Sequence, residues 1–235
     1  MSTAFAFDLE TTSNQPGSAY PVQICVVHHD FDSGSSRILM NTLVRPGALI
    51  SPEATAVHGI TDRDVVSAPD YAFIAWQVNL LVREMAPDYV VHFNGDHFDI
   101  PIIDRCLGGP VFAGAKSIDV LTLARRYFPA EPSHKLGELH LSLLNKPLVG
   151  AHDASADVLG MLELLGAMLP KIGLPLEKLA NELREPKPWA VLPLGKFRGR
   201  LRSEVPRSWA EWMRDNATDM SGDLRATVDA ILAGA

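Results

Sequence analysis

Cysteine is nearly absent from this chain. Cys25 and Cys106 stand alone among 235 residues, with no CxxC spacing, so neither a disulfide framework nor a zinc site is indicated. No run of about 18 apolar residues occurs, and the N-terminus lacks a basic region followed by an apolar one. The expectation is a soluble, cytoplasmic protein with no membrane partner. Basic charge is also in short supply. With 21 Lys and Arg against 28 Asp and Glu, the net charge of −7 argues against a protein that coats nucleic acid non-specifically. It leaves room for a nucleic-acid enzyme whose active site is itself acidic. There is no internal repeat and no low-complexity run.

What is present is a large apolar fraction, 47%, with a mean hydropathy of +0.07, enough for a real core. The length suits one substantial domain and a small appendage. The charge is unevenly spread. Residues 186–235 carry eight Lys/Arg against six Asp/Glu, whereas the first 185 carry 13 against 22. Pro186, Pro188 and Pro193 mark a linker. The expected division is a domain over 1–170, a helix and Pro-rich linker over 171–190, and a small α+β module over 191–235.

The stretch Phe5-Ala6-Phe7-Asp8-Leu9-Glu10-Thr11-Thr12 reads as a strand buried on both faces. Alternation sends Phe5, Phe7 and Leu9 one way and Ala4, Ala6, Asp8 and Glu10 the other. Two carboxylates therefore share one face, roughly 7 Å apart at about 3.3 Å per residue. Buried like charges are costly unless a cation answers them; a frayed strand end with two solvated acids is the alternative.

Two further strands follow, Val22 to Val27 and Arg37 to Val44. A short helix over Pro52 to Val57 has Ser51 as its cap, and a longer helix runs from Asp70 to Glu84. Tyr89 to Phe93 is a short buried strand leading into Asn94-Gly95 and a helix over Phe98 to Leu107. An extended segment at Lys116 to Asp119 precedes helices at Val120 to Tyr127, Leu136 to Leu144 and Asp153 to Leu169. Three strands followed by alternating helix and strand predict an α/β fold with a mixed sheet.

Asp99 falls at a helix start, where a first-turn acid is welcome for dipole reasons alone; Asp96 sits where an N-cap would. Asp157 lies on the most apolar helix of the chain, with no Lys or Arg within one or two turns. A buried carboxylate there needs a partner, a metal or a salt bridge from elsewhere. His152 precedes the helix and folds back toward its first turn if Asp153 is the cap. An oxygen-rich set of Asp8, Glu10, Asp99 and Asp157 suits Mg²⁺ or Mn²⁺ rather than zinc. Two such ions would form the clamp used for phosphoryl transfer to water, with His152 as general base.

The ordered motifs FDLETT, Asn94-x-x-x-Phe98-Asp99 and His152-x-x-x-x-Asp157 resemble those of the DnaQ-like 3′–5′ exonucleases of the DEDDh type. That resemblance covers residues 3–169. It implies a ribonuclease H-like fold, a mixed five-stranded sheet flanked by helices, and two Mg²⁺ or Mn²⁺ ions held by the four acids. Asp at 153, where the tyrosine variant needs Tyr, indicates the histidine type. By the same analogy Leu9, Thr11, His58, Asn94 and Phe98 hold the terminal sugar and base, with Phe98 or Leu9 as a wedge. Gln23 departs from the family, whose members often carry Glu there.

In the tail, Gly195-Lys196-Phe197-Arg198-Gly199 followed by a Trp-containing helix resembles the C-terminal module of the exonuclease X group. Lys187, Lys196, Arg198, Arg200 and Arg202, interleaved with Trp189 and Phe197, suit phosphate contact with stacking; a solvated hairpin fits the same pattern. The resemblance implies DNA 3′ ends as substrate and a place in DNA repair or end processing. An enzyme that trims RNA and a polymerase-docking proofreading subunit are the alternatives.

Overall fold

A computed structural model describes residues 2–217 and 220–234. The chain opens with β1 (Thr3–Thr11), β2 (Pro21–Asp30) and β3 (Ser35–Leu43), then α1 (Pro52–His58), α2 (Asp62–Val65) and α3 (Tyr71–Met85). Next come β4 (Tyr89–His92), α4 (Asp99–Leu107), β5 (Lys116–Asp119), α5 (Val120–Tyr127) and α6 (Leu136–Leu144). The series closes with α7 (Ala154–Ile172), α8 (Leu176–Arg184), α9 (Arg207–Asn216) and α10 (Gly222–Ala233).

The sheet has five strands in the order β3-β2-β1-β4-β5. β2 runs antiparallel to both neighbours, while β1, β4 and β5 are mutually parallel. The mixed α/β architecture expected from the sequence is the one observed. β1 lies at the centre, and its two faces feed two cores. Ala4 and Ala6 pack with Cys25, Val27, Val91 and the apolar side of α7. Phe5, Phe7 and Leu9 pack with Ile24, Val26 and helices α3 and α4. The near-continuous apolar sequence of β1 follows from this double burial. Asp8 and Glu10 share the α7 side, which aims them at the start of that helix.

Helix α7 explains itself in the same way. Val158, Met161, Leu162, Leu164, Leu165 and Met168 are all buried against the sheet. Asp153 caps it, accepting from the N–H groups of Ser155 and Ala156. No single helix among the described residues is long and apolar enough to cross a membrane.

Trp189, Leu192, Val205, Ala210, Leu224, Val228 and Ile231 build a third core. It is tied to the first domain by a buried ion pair. Arg126 of α5 grips Asp223 of α10 with two bonds of 2.6 and 2.5 Å, both side chains 6% exposed. The same guanidinium reaches the carbonyls of Glu182 and Glu185 at the end of α8.

Two sequence expectations change here. Asp96 is not the cap of α4, since Phe98 occupies that position; Asp96 instead accepts from the Ser117 hydroxyl. Trp189 is 4% exposed and Phe197 packs edge-on against Trp209 at 5.8 Å. Neither ring of the expected stacking pair is a free platform, because a module of fewer than 50 residues needs its aromatics for its core. Lys196, Arg198 and Arg200 do stand exposed on the loop that bridges Val191 to Leu201.

Candidate active site

The acids expected to act together converge at the carboxyl ends of β1 and β4. β1 pairs with β4 only from Ala4 to Ala6. Beyond that ladder the Leu9 N–H is left to donate to the carboxylate of Asp99, at the first turn of α4. Asp157, on the first turn of α7, accepts the backbone N–H of His152 at 3.1 Å. That bond folds the preceding loop over the helix start, with His152 in the left-handed region at φ +69°. A non-glycine residue there is uncommon and marks a loop its surroundings dictate. Carboxylate oxygens of Glu10 and Asp157 and a ring nitrogen of His152 lie within 4.8 Å of one another. His152 is thus a neighbour of the metal-type oxygens, and its ring is exposed at the rim.

The electrostatics are those of buried acids that repel one another. Burial, then repulsion from Asp99, Glu10, Asp157 and Asp153, holds the Asp8 carboxyl well above the ordinary carboxylate range. Burial and the charges of Asp157, Asp99 and Asp153 push Glu10 up to about 8. Burial also lifts Asp99 to about 7, and Asp157 is raised for the same first reason. Hard carboxylate oxygens this close, each disfavoured as an anion, fit a divalent cation of the Mg²⁺ or Mn²⁺ kind.

Support for this site comes from groups that carry no metal-type oxygen into it. Gln23, facing Glu10 across the β1–β2 ladder, donates to Asp153 at 2.9 Å and accepts from the Ala154 N–H at 3.3 Å. It pins the N-terminus of α7, and with it His152. A polar residue inside the apolar run of β2 was the visible signal for this role. On the other flank, buried His92 accepts the Gly95 N–H through Nδ1 at 2.9 Å, which leaves Nε2 to carry the proton toward Ser117. A Cβ at Gly95 would lie 2.6 Å from the His92 ring, so only glycine allows this approach. Asn94 takes φ +68°, and its N–H donates to the buried Asp119 carboxylate at 2.8 Å. The turn leading to Asp99 is built on these bonds.

Beside Glu10 a cavity of about 470 Å³ opens. Leu9, Thr11, His58 and Phe98 line it together with Ser51 and Val57 of the α1 region. Two bonds bring α1 here: the Ser51 N–H donates to the Thr12 carbonyl at 2.9 Å, and the His58 side chain donates from Nε2 to the Thr11 carbonyl at 3.1 Å. Because His58 Nδ1 accepts from the Ile60 N–H, both ring nitrogens are engaged and the pocket meets the body of the imidazole. Asn94, expected among the nucleotide contacts, does not line this cavity.

A family model described as exonuclease matches residues 5–165, which is more than half of the chain. The chain belongs to the exonuclease family. The matched span includes all four acids and His152. This exonuclease is 27% identical over 195 residues to exodeoxyribonuclease 10 of Escherichia coli, covering 80% of this chain and 82% of that protein. It is 30% identical over 186 residues to a DNA polymerase III subunit epsilon-like protein of Rhodobacter capsulatus, covering 72% of this chain but 24% of the other. In fold it resembles E. coli exonuclease I solved with a dT13 oligonucleotide, with a TM-score of 0.61 at 19% identity. That match covers 74% of this chain and 43% of the other.

Proposed function

We propose that this exonuclease is a cytoplasmic DEDDh-type 3′–5′ exodeoxyribonuclease, removing nucleoside 5′-monophosphates from DNA 3′ ends in repair or end processing. The observation that carries the reading is the grouping of Glu10, Asp157 and His152 within 4.8 Å, with Asp8 and Asp99 near enough to feel the same charges, beside a nucleotide-sized pocket. Two divalent ions bound by the four acids would neutralise them and stabilise charge on the attacking and leaving oxygens of an in-line displacement. The protein's own groups do the rest. Leu9 and Phe98 pack against the terminal base, and the pocket beside Glu10 holds its sugar. His152 takes the proton of the attacking water, a role its rim position supports. Water adds to phosphorus, and the 3′-oxygen of the preceding nucleotide leaves with the bonding electrons. Asp99, held by Leu9, and Asp157, held by the His152 N–H, keep their oxygens aimed without needing to move.

The choice of DNA follows the likeness to exodeoxyribonuclease 10 and to exonuclease I, which was solved with a DNA oligonucleotide. The decisive experiment is side-by-side digestion of 5′-labelled DNA and RNA, each with Mg²⁺ and with EDTA. Stepwise shortening of DNA from the 3′ end, abolished by EDTA, is expected. Faster loss of RNA would replace the deoxy preference, and undiminished cleavage in EDTA would overturn the metal site.

A further inference from the structure

The junction between the first domain and the C-terminal module encloses a second cavity, of about 160 Å³. That is roughly five waters at about 30 Å³ each, room enough for a phosphate group. Its wall includes Arg125 and Arg184, with Asp96, His97, Gly222 and Asp223 around them. Arg125 is the unusual member. Its Nε is buried and meets no hydrogen-bond acceptor among the described residues. Burial pulls its pKa below the ordinary guanidinium value, opposed through space by Asp119 and Asp223.

Neither carboxylate is free to complete it. Asp119 is committed to the N–H groups of Asn94 and Leu121 and to the Thr122 hydroxyl. Asp223 is committed to Arg126 and to the Lys187 N–H. Asp96 is turned to Ser117 and His92. Arg184 is exposed and has no ion pair among the described residues. A withdrawn guanidinium without a carboxylate, beside an open space, calls for an anion. The first turn of α10, at Ser221 and Gly222, adds backbone N–H groups of the favourable sign.

The location narrows the anion. The loop from Asn94 to Asp99 borders both cavities: Phe98 walls the nucleotide pocket, and Asp96 and His97 wall this one. The first opens at the carboxyl end of β1, the second beyond the ends of β4 and β5. One strand separates β1 from β5, about 10 Å at about 4.8 Å per strand. A nucleic-acid strand covers that in about three nucleotides at roughly 3.4 Å each. We infer that this cavity grips a backbone phosphate of the substrate strand, upstream of the terminal nucleotide, through Arg125 and Arg184. The inference rests on the nuclease reading above. It also gives the C-terminal module a task, since Asp223 and the start of α10 close the cavity.

The test is equilibrium binding of a labelled twelve-nucleotide oligothymidylate in EDTA, measured by anisotropy across a KCl series. Arg125→Gln is expected to weaken binding roughly tenfold, the scale of one bond to a charged group. It should also lower the slope of log affinity against log salt by about 0.7, one single-strand phosphate contact. Arg125→Lys should recover the slope but only part of the affinity, because the charge returns without the planar fork. Arg184→Gln, at an exposed position, should lower the slope by a similar amount. Wild-type slope and affinity in both glutamine variants would overturn the inference and leave the nuclease reading intact. A wild-type protein that neither binds nor degrades any oligonucleotide would overturn the nuclease reading itself.

Discussion

The four-acid cluster and the Arg126–Asp223 bridge are both ionic and both withdrawn from water, yet they are opposites. In the bridge every carboxylate oxygen of Asp223 has a donor, and the guanidinium binds three backbone carbonyls as well. In the cluster Asp8, Glu10, Asp99 and Asp157 are all raised above ordinary carboxylates, first by burial and, for Asp8 and Glu10, then by the charges of their acidic neighbours. The first arrangement is complete within the chain and serves the joining of two units. The second is incomplete within the chain, and a protein keeps such strain where a ligand supplies what is missing.

Removing the base should have the largest effect. His152→Ala is expected to lose roughly 10²–10⁴-fold in single-turnover rate, the span of general base catalysis, while divalent-ion binding by calorimetry largely persists. A mutant that retains the wild-type pH–rate profile would assign the proton transfer to another group.

Next come matched substitutions in the two charge groups. Asp8→Asn should cost about 10²–10³-fold in rate and yet stabilise the metal-free fold by about 0.5–2 kcal/mol, since one repelling charge is gone. Asp223→Asn should destabilise by about 3–5 kcal/mol, because Arg126 is left buried without its partner. Urea unfolding of both variants, with and without Mg²⁺, reads the contrast. Destabilisation by both would erase the distinction between complete and incomplete sites.

The pH dependence sharpens it further. Each raised carboxylate binds its proton more tightly in the folded chain than in the unfolded one. The metal-free fold is therefore favoured at low pH. It loses that advantage as pH rises from the unfolded carboxylate value, about 4, through the folded values of about 7 for Asp99 and about 8 for Glu10. The metal-free melting temperature should fall across this window, and Mg²⁺ or Mn²⁺ should restore it most strongly at the upper end, where protons no longer compete. A flat profile would mean that the acids are not clustered in solution.

The smallest effect is expected from the exposed loop of the C-terminal module. Replacing Lys196, Arg198 and Arg200 together with Ala should flatten the salt slope of binding by roughly two units for a single strand if all three touch phosphates. An unchanged slope in a folded triple mutant would remove this loop from the nucleic-acid interface.

Much of this was legible in the residues. Period-two alternation separated the two faces of β1, and the Ser51 and Asp153 caps marked their helices. The ordered acid motifs named the candidate site. What the residues could not disclose were partnerships across long separations. Gln23 meets Asp153 from 130 positions away, and Arg126 meets Asp223 from 97. Both follow from which helix lands on which part of the sheet. The burial of Trp189, the placing of Asp96 on Ser117 and the closing of α1 over the end of β1 were decided in the same way. Local pattern fixes which face of an element is apolar, because periodicity is a property of the element alone. Which polar group then finds which partner depends on where the packed elements bring their ends, and that is settled only when the whole core closes.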